Sequence, residues 1–231
     1  MLRFLAFLAL AACGTVDYDH APAGKLSGTV LVMWVGETQA GEGDGRFVYV
    51  PSATPLRFER ANPSATLKTI QPQMMYTDGG SIPALAQVFK GFSPWGYAPA
   101  YIVHDWLFVA RKCLSDNSAN PDQAAVAQLP FAESATVAAE VIQTLIATNT
   151  VAPNDIAPQL ISSAVAGPIA KSRWTEVGAC ARDKIKPAHV DMIRRALPAL
   201  STARTGQRLA KGPLAKGPVA QIVQVIDFGE P

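Results

Sequence analysis

The pattern of apolar and polar positions changes character about a third of the way along the chain. Residues 25–35 (KLSGTVLVMWV) are rich in β-branched side chains and predict a strand. A Gly- and acid-bearing stretch at 36–45 turns the chain, so that 46–50 (RFVYV) returns as a hairpin partner, ended by Pro51. Short alternating runs at 56–59 and 66–70, and a last one at 74–77, complete a small antiparallel sheet.

The spacing then turns helical. Residues 84–89 predict a helical turn stopped by Gly91, and 93–96 a loop. Pro99 suits a first helical turn, and 100–112 carry helical apolar spacing with no Gly or Pro inside. After a polar loop at 114–122, residues 123–148 read as helix interrupted at Pro130, with Val137, Val141, Leu145 and Thr148 on one face. Weaker helices are expected at 153–169 and 187–197. From Ser201 the chain is basic and low in complexity, with Lys-Gly-Pro at 211–213 and again at 216–218, which reads as a flexible arm. Residues 220–228 (AQIVQVIDF) alternate like a strand that returns to the sheet edge. The expected fold class is therefore α+β, a small N-terminal antiparallel sheet with a mainly helical core, forming one domain over 25–200 with the arm at 201–231.

Composition narrows the partners. A chain of 231 residues that is 49% hydrophobic can bury one sizeable core. Its formal charge of +2 argues against nucleic acid or another polyanion as a partner, and leaves open only a weak surface preference for anionic lipid.

The N-terminus carries an address. Met1-Leu2-Arg3 is a minimal positive region, and residues 4–12 are apolar but too short for a spanning helix, which needs about 20 residues. Leu10-Ala11-Ala12-Cys13 resembles the lipobox of bacterial lipoproteins, in which the Cys is lipidated and becomes the new N-terminus. Residues 1–12 are thus expected to be a signal peptide, Cys13 the lipid attachment point and 13–24 a tether, placing the protein in the bacterial cell envelope on the periplasmic side, anchored to membrane. The competing reading is a buried N-terminal element with a chance Cys. With Cys13 lipidated, Cys113 and Cys180 remain as an even pair in an oxidising compartment, and a disulfide is the expectation against two buried thiols.

The chemistry concentrates at 75–113. Thr77-Asp78-Gly79-Gly80-Ser81-Ile82-Pro83 precedes His104-Asp105 within an otherwise apolar run. Burying two ionisable groups costs several kcal/mol unless they are bonded or bind something. On a helix, Tyr101, Asp105 and Phe108 share one side, while His104 and Asp105 diverge by about 100° and each needs its own partner. Such a pair can divide labour, the imidazole activating water as general base and the carboxylate holding a hard cation. The bland alternative bonds His104 to a backbone carbonyl and lets Asp105 cap a loop. Asp78-Gly79-Gly80 is equally a good turn, with Ser81 capping a short helix. Trp95, Tyr97, Tyr101 and Trp106 are expected in the core, and His20 and His189 on the surface. No Cys-x-x-Cys, His-Glu-x-x-His or P-loop occurs, so zinc and nucleotide readings lack support.

The two motifs together resemble the bacterial and phage family called domain of unknown function 1353, over residues 47–147. Its pattern places Thr-Asp-x-Ala-Ser-x-Pro ahead of an apolar helix with His-Asp-x-Leu-Tyr, then an acidic residue after Ala on a later helix. Here Gly80, Phe108 and Glu140 stand where the family has Ala, Tyr and Asp, and Gln143 where an aromatic follows. The helix motif is also similar to that of secreted calcium-dependent phospholipases. That similarity implies His104 as base, Asp105 as calcium ligand and Glu140 as the acid orienting His104, with Asp78 and the Gly79/Gly80 backbone as further cation or oxyanion ligands. The leading expectation is a lipid-anchored hydrolase-like or metal-binding protein acting on lipid or peptidoglycan. The alternative is a non-catalytic envelope or phage-derived interaction module.

Overall fold

The computed structural model describes residues 16–36, 45–77, 96–152, 161, 164–203 and 220–230. Seven strands, β1 (Lys25–Ser27), β2 (Thr29–Val35), β3 (Arg46–Tyr49), β4 (Arg57–Glu59), β5 (Thr69–Ile70), β6 (Met75–Thr77) and β7 (Gln221–Asp227), combine with six helices among the described residues. The helices are α1 (Ala98–Ser115), α2 (Pro121–Val126), α3 (Phe131–Ala147), α4 (Pro168–Trp174), α5 (Cys180–Asp183) and α6 (Pro187–Ala203). The protein is α+β, as its pattern predicts.

The expected single sheet is two antiparallel sheets, ordered β1-β4-β5 and β6-β3-β2-β7. The split lies inside the run expected to be one strand. Gly28 takes φ +78, a left-handed conformation that other residues adopt at a cost, and it turns the chain from one sheet into the other. A side chain there would also collide with the Pro55 carbonyl.

All seven residues of β2 are buried. Alternation accounts for this: Val30 and Val32 enter a core shared with α1 and α3, while Leu31, Met33 and Val35 face a second one closed by Met192 and Ile193 of α6. A strand covered on both faces must be apolar throughout, which is what TVLVMWV supplies. The terminal strand also falls where the alternation places it, with β7 pairing antiparallel to β2.

Helix α1 begins with Pro99 in its first turn and packs Ile102, Val103, Trp106, Leu107 and Ala110 into the main core. Tyr97, Tyr101 and Trp106 are core residues, as expected, while Trp95 lies outside the described residues. The break at Pro130 separates α2 from α3, and a capping box at Asn120 and Gln123 starts α2. Two expectations shift. Helix α6 runs to Ala203, beyond both the expected helix end and the start of the arm. The helix expected at 153–169 falls mostly outside the described residues; of that span residues 161 and 164–166 are helical, and α4 begins at Pro168. Among the described residues, no helix is long and apolar enough to cross a membrane.

Candidate functional site

The 100° step between neighbouring helix positions sends the two central residues to different surroundings. His104 turns inward and is 8% exposed, its ring packed 4.6 Å from that of Phe108. Phe108 continues the contact to Trp174 at 4.9 Å, and Trp174 to Phe131 at 6.0 Å, so an aromatic chain links α1, α4 and α3. Nε2 of His104 is buried without a hydrogen-bond partner. Burial pushes the imidazole down to about 4, so it is neutral at pH 7.

Asp105 turns outward. Its Oδ2 accepts a bond from Thr77 Oγ1 at 2.8 Å, which ties α1 to the last residue of β6. Both side chains line an open cleft of about 940 Å³. Phe47, Phe108 and Val109 give this cleft apolar lining, with Arg46 on one side and α4 with α5 on the other. Volumes of this order accommodate small-molecule ligands.

The α4–α5 wall is a closed charge cluster. Lys112 Nζ donates to Asp183 at 2.8 Å and lies 3.6 Å from Glu176, while Arg182 reaches Glu176 at 2.8 Å and Asp183 at 3.1 Å. Burial disfavours the charge on Asp183, but Lys112 and Arg182 overcome it and hold the carboxyl below its ordinary range. The wall is fastened to α1 by the Cys113–Cys180 disulfide, by Asp116 accepting from the Gly178 and Cys180 N–H groups, and by Ser118 bonded to the Cys180 sulfur. The expected disulfide is therefore present.

Glu140 is not brought to His104. Its carboxylate receives Arg60 Nε at 2.7 Å and Arg60 Nη2 at 3.0 Å, with Asn62 Nδ2 at 3.2 Å. Arg60 also donates to Glu133 at 2.6 Å, one face of α3 presenting both acids seven residues apart. This network pins the chain after β4 onto α3, so Glu140 has a structural partner in place of the expected catalytic one. Asp78, Gly79, Gly80 and Ser81 lie outside the described residues, as does Cys13. Among the described residues, no three His, Cys, Asp or Glu side chains gather to hold a metal.

No family model matches the chain, and neither the curated proteins nor the solved structures offer a match.

Two polar assemblies escaped the sequence. Arg60 sits 80 residues from Glu140, beyond any periodicity that could pair them. His189, expected on the surface, is half-buried: Tyr76 Oη accepts the Lys186 N–H at 3.0 Å and lies 2.8 Å from His189 Nδ1. Burial, with Lys186 and Arg46 nearby, holds this imidazole below its ordinary range, which favours the neutral ring in its hydrogen bond with Tyr76 Oη. Arg46 stacks 3.5 Å over the Tyr76 ring and lines the cleft beside it. His20, by contrast, is exposed and paired with Asp17, as expected of a surface residue.

Proposed function

We propose that this protein is a ligand-binding module of the bacterial cell envelope, held at the membrane by lipid on Cys13, with its binding site in the cleft around Asp105. The observation that carries the reading is the separation of His104 from Asp105. The imidazole lies in the core with its Nε2 unbonded and, among the described residues, no carboxylate to orient it, while the Asp105 carboxylate stands in the cleft beside Thr77. A general base with its basicity lowered to about 4 drives proton abstraction weakly at neutral pH. What the cleft offers instead is recognition: an apolar lining, an acid at Asp105 and a basic group at Arg46, beside the mutually paired charges of Lys112, Glu176, Arg182 and Asp183. Such a lining suits a small ligand carrying both amine and carboxylate or phosphate groups, as peptidoglycan peptides and phospholipid headgroups do.

A second reading keeps the hydrolase-like site, and one observation favours it. His104 is neutral and its Nε2 is uncommitted, the state a base requires before it takes a proton. In that reading the similarity to calcium-dependent phospholipases supplies Asp105 as a calcium ligand and Asp78 as a further cation ligand.

One set of measurements separates the two. The full chain, Asp105→Asn and His104→Ala are melted with soluble peptidoglycan fragments, short-chain phospholipid or millimolar calcium, and turnover is followed on the same compounds. Binding predicts a ligand-dependent rise in melting temperature that Asp105→Asn removes and His104→Ala retains, with no product formed. Product formation abolished by His104→Ala in a folded variant would establish the hydrolase instead.

A further inference from the structure

Alternation along β3 and β6 sorts the cleft residues onto two faces of the sheet. Val48 stands opposite Tyr76, and Phe47 opposite Thr77. Phe47 and Thr77 therefore share the face toward Asp105, whereas Arg46, Val48 and Tyr76 share the face toward α6. Arg46 opens β3 and Thr77 closes β6, so the cleft passes from one face to the other over the strand ends.

On the α6 side, three basic groups converge on one phenol. The Arg46 guanidinium carbon lies 3.5 Å from the Tyr76 ring centroid, and His189 Nδ1 lies 2.8 Å from the Tyr76 hydroxyl. Lys186 bonds the same hydroxyl through its N–H. Burial lowers the His189 imidazole, and the nearby charges of Lys186 and Arg46 lower it further. Among the described residues no acid pairs with Arg46, Lys186 or His189. Elsewhere the cations are answered: Lys112 and Arg182 meet Asp183 and Glu176, and Arg194, further along α6, lies 3.6 Å from Asp191. From β2 this face receives only Leu31, Met33 and Val35. The phenol occupies Nδ1 of His189 and leaves Nε2 for another contact, while a stacked guanidinium keeps its edge donors.

We propose that Arg46, His189 and Lys186 form a subsite for a tetrahedral oxyanion, the phosphate of a lipid headgroup or of a soluble phosphate ester. The subsite rests on the reading of the cleft as a binding site and adds where the anionic end of a ligand lies, apart from Asp105. A bound dianion supplies the charge that the cluster lacks and favours the imidazolium. Binding therefore tightens as pH falls through the His189 titration.

The test follows the ring nitrogens of His189 by NMR in the full chain, with sodium sulfate, glycerol phosphate and dihexanoyl phosphatidic acid as probes. Sulfate keeps its charge from about pH 8 to about pH 5.5, so its affinity reports the protein alone. It should bind about tenfold tighter at the lower pH and raise the His189 midpoint. Arg46→Met should weaken all three probes about tenfold, and His189→Gln should remove the pH dependence of sulfate binding. Position 46 is exposed and Gln keeps a polar end for the Tyr76 hydroxyl, so unchanged melting is expected of both variants. Equal affinity for the two phosphates assigns a soluble ester, and a preference of about tenfold for phosphatidic acid assigns the headgroup. A His189 midpoint unmoved by every probe, or binding undiminished in Arg46→Met, overturns the proposal. Asp105→Asn should leave sulfate binding intact, and its loss there would overturn a separate subsite. If sulfate binds as expected while Asp105→Asn leaves the melting shifts of larger ligands unaltered, the Asp105 reading fails and the oxyanion subsite stands.

Discussion

Arg60 and Glu140 meet through two parallel hydrogen bonds of 2.7 and 3.0 Å, and neither side chain retains any solvent exposure. A buried pair contributes little over an apolar substitute, but breaking it strands a charge. Glu140→Ala should therefore destabilise the protein by about 3–5 kcal/mol, measured by urea unfolding. Arg60→Met combined with Glu140→Leu should recover most of that loss. A single variant that loses less than about 1 kcal/mol would show the pair to be dispensable.

His104 predicts how stability responds to acid. Its folded value of about 4 lies below the ordinary 6.5 because burial penalises the charged ring. Between those limits the unfolded chain binds the proton more readily than the folded one, so stability is complete above about pH 6.5 and is lost as pH falls toward 4. From pH 7 to pH 5 this group alone should remove about 2 kcal/mol. His104→Phe, which cannot be protonated, should flatten that part of the profile in urea titrations at the two pH values. An equally steep profile in the variant would assign the effect elsewhere.

The disulfide closes a loop of 67 residues. Cys113→Ser with Cys180→Ser should cost about 4 kcal/mol by the loop-entropy relation. Because Cys180 also sits in the bonds to Asp116 and Ser118, exchange of the Gly178 and Cys180 amides should accelerate more than that of β2 amides. Uniform acceleration would mean that the wall and the core open together.

Tyr76 joins β6 to the start of α6 through one hydroxyl. Tyr76→Phe leaves the Lys186 N–H and the His189 ring unmatched and should cost about 1–3 kcal/mol in thermal or urea unfolding. Hydrogen exchange should locate the change in the first turn of α6. Unaltered protection there would show that apolar packing of Met192 and Ile193 suffices to hold the helix.

Where local pattern decides structure, the chain could be read. The 25–35 and 46–50 segments pair because they are near neighbours with matching strand character, and Pro130 breaks its helix because proline has no N–H to give. Gly28 was harder: one glycine in a β-rich run does not announce that the strand changes sheets, because the cause is a contact with Pro55 from another segment. The site divides in the same way. Helical geometry separates His104 from Asp105, yet it does not say which one faces the core. That choice follows from where β6 and α4 lie, and Thr77 and Trp174 report it only after folding. Glu140 carried the right chemical type for an orienting acid, but Arg60 arrives from a different sheet to take it.

The pairing of β7 with β2 has a consequence for how the molecule is made. One edge of β2 is complementary to residues 221–227, so that flank stays bare until a segment nearly 200 residues later has been synthesised. Long-range closure of this kind slows folding and leaves a strand open to mispairing with other molecules in the meantime. A nascent chain halted before residue 221 would emerge with its most apolar strand unsheathed, which makes residues 221–227 a checkpoint for assembly of this sheet.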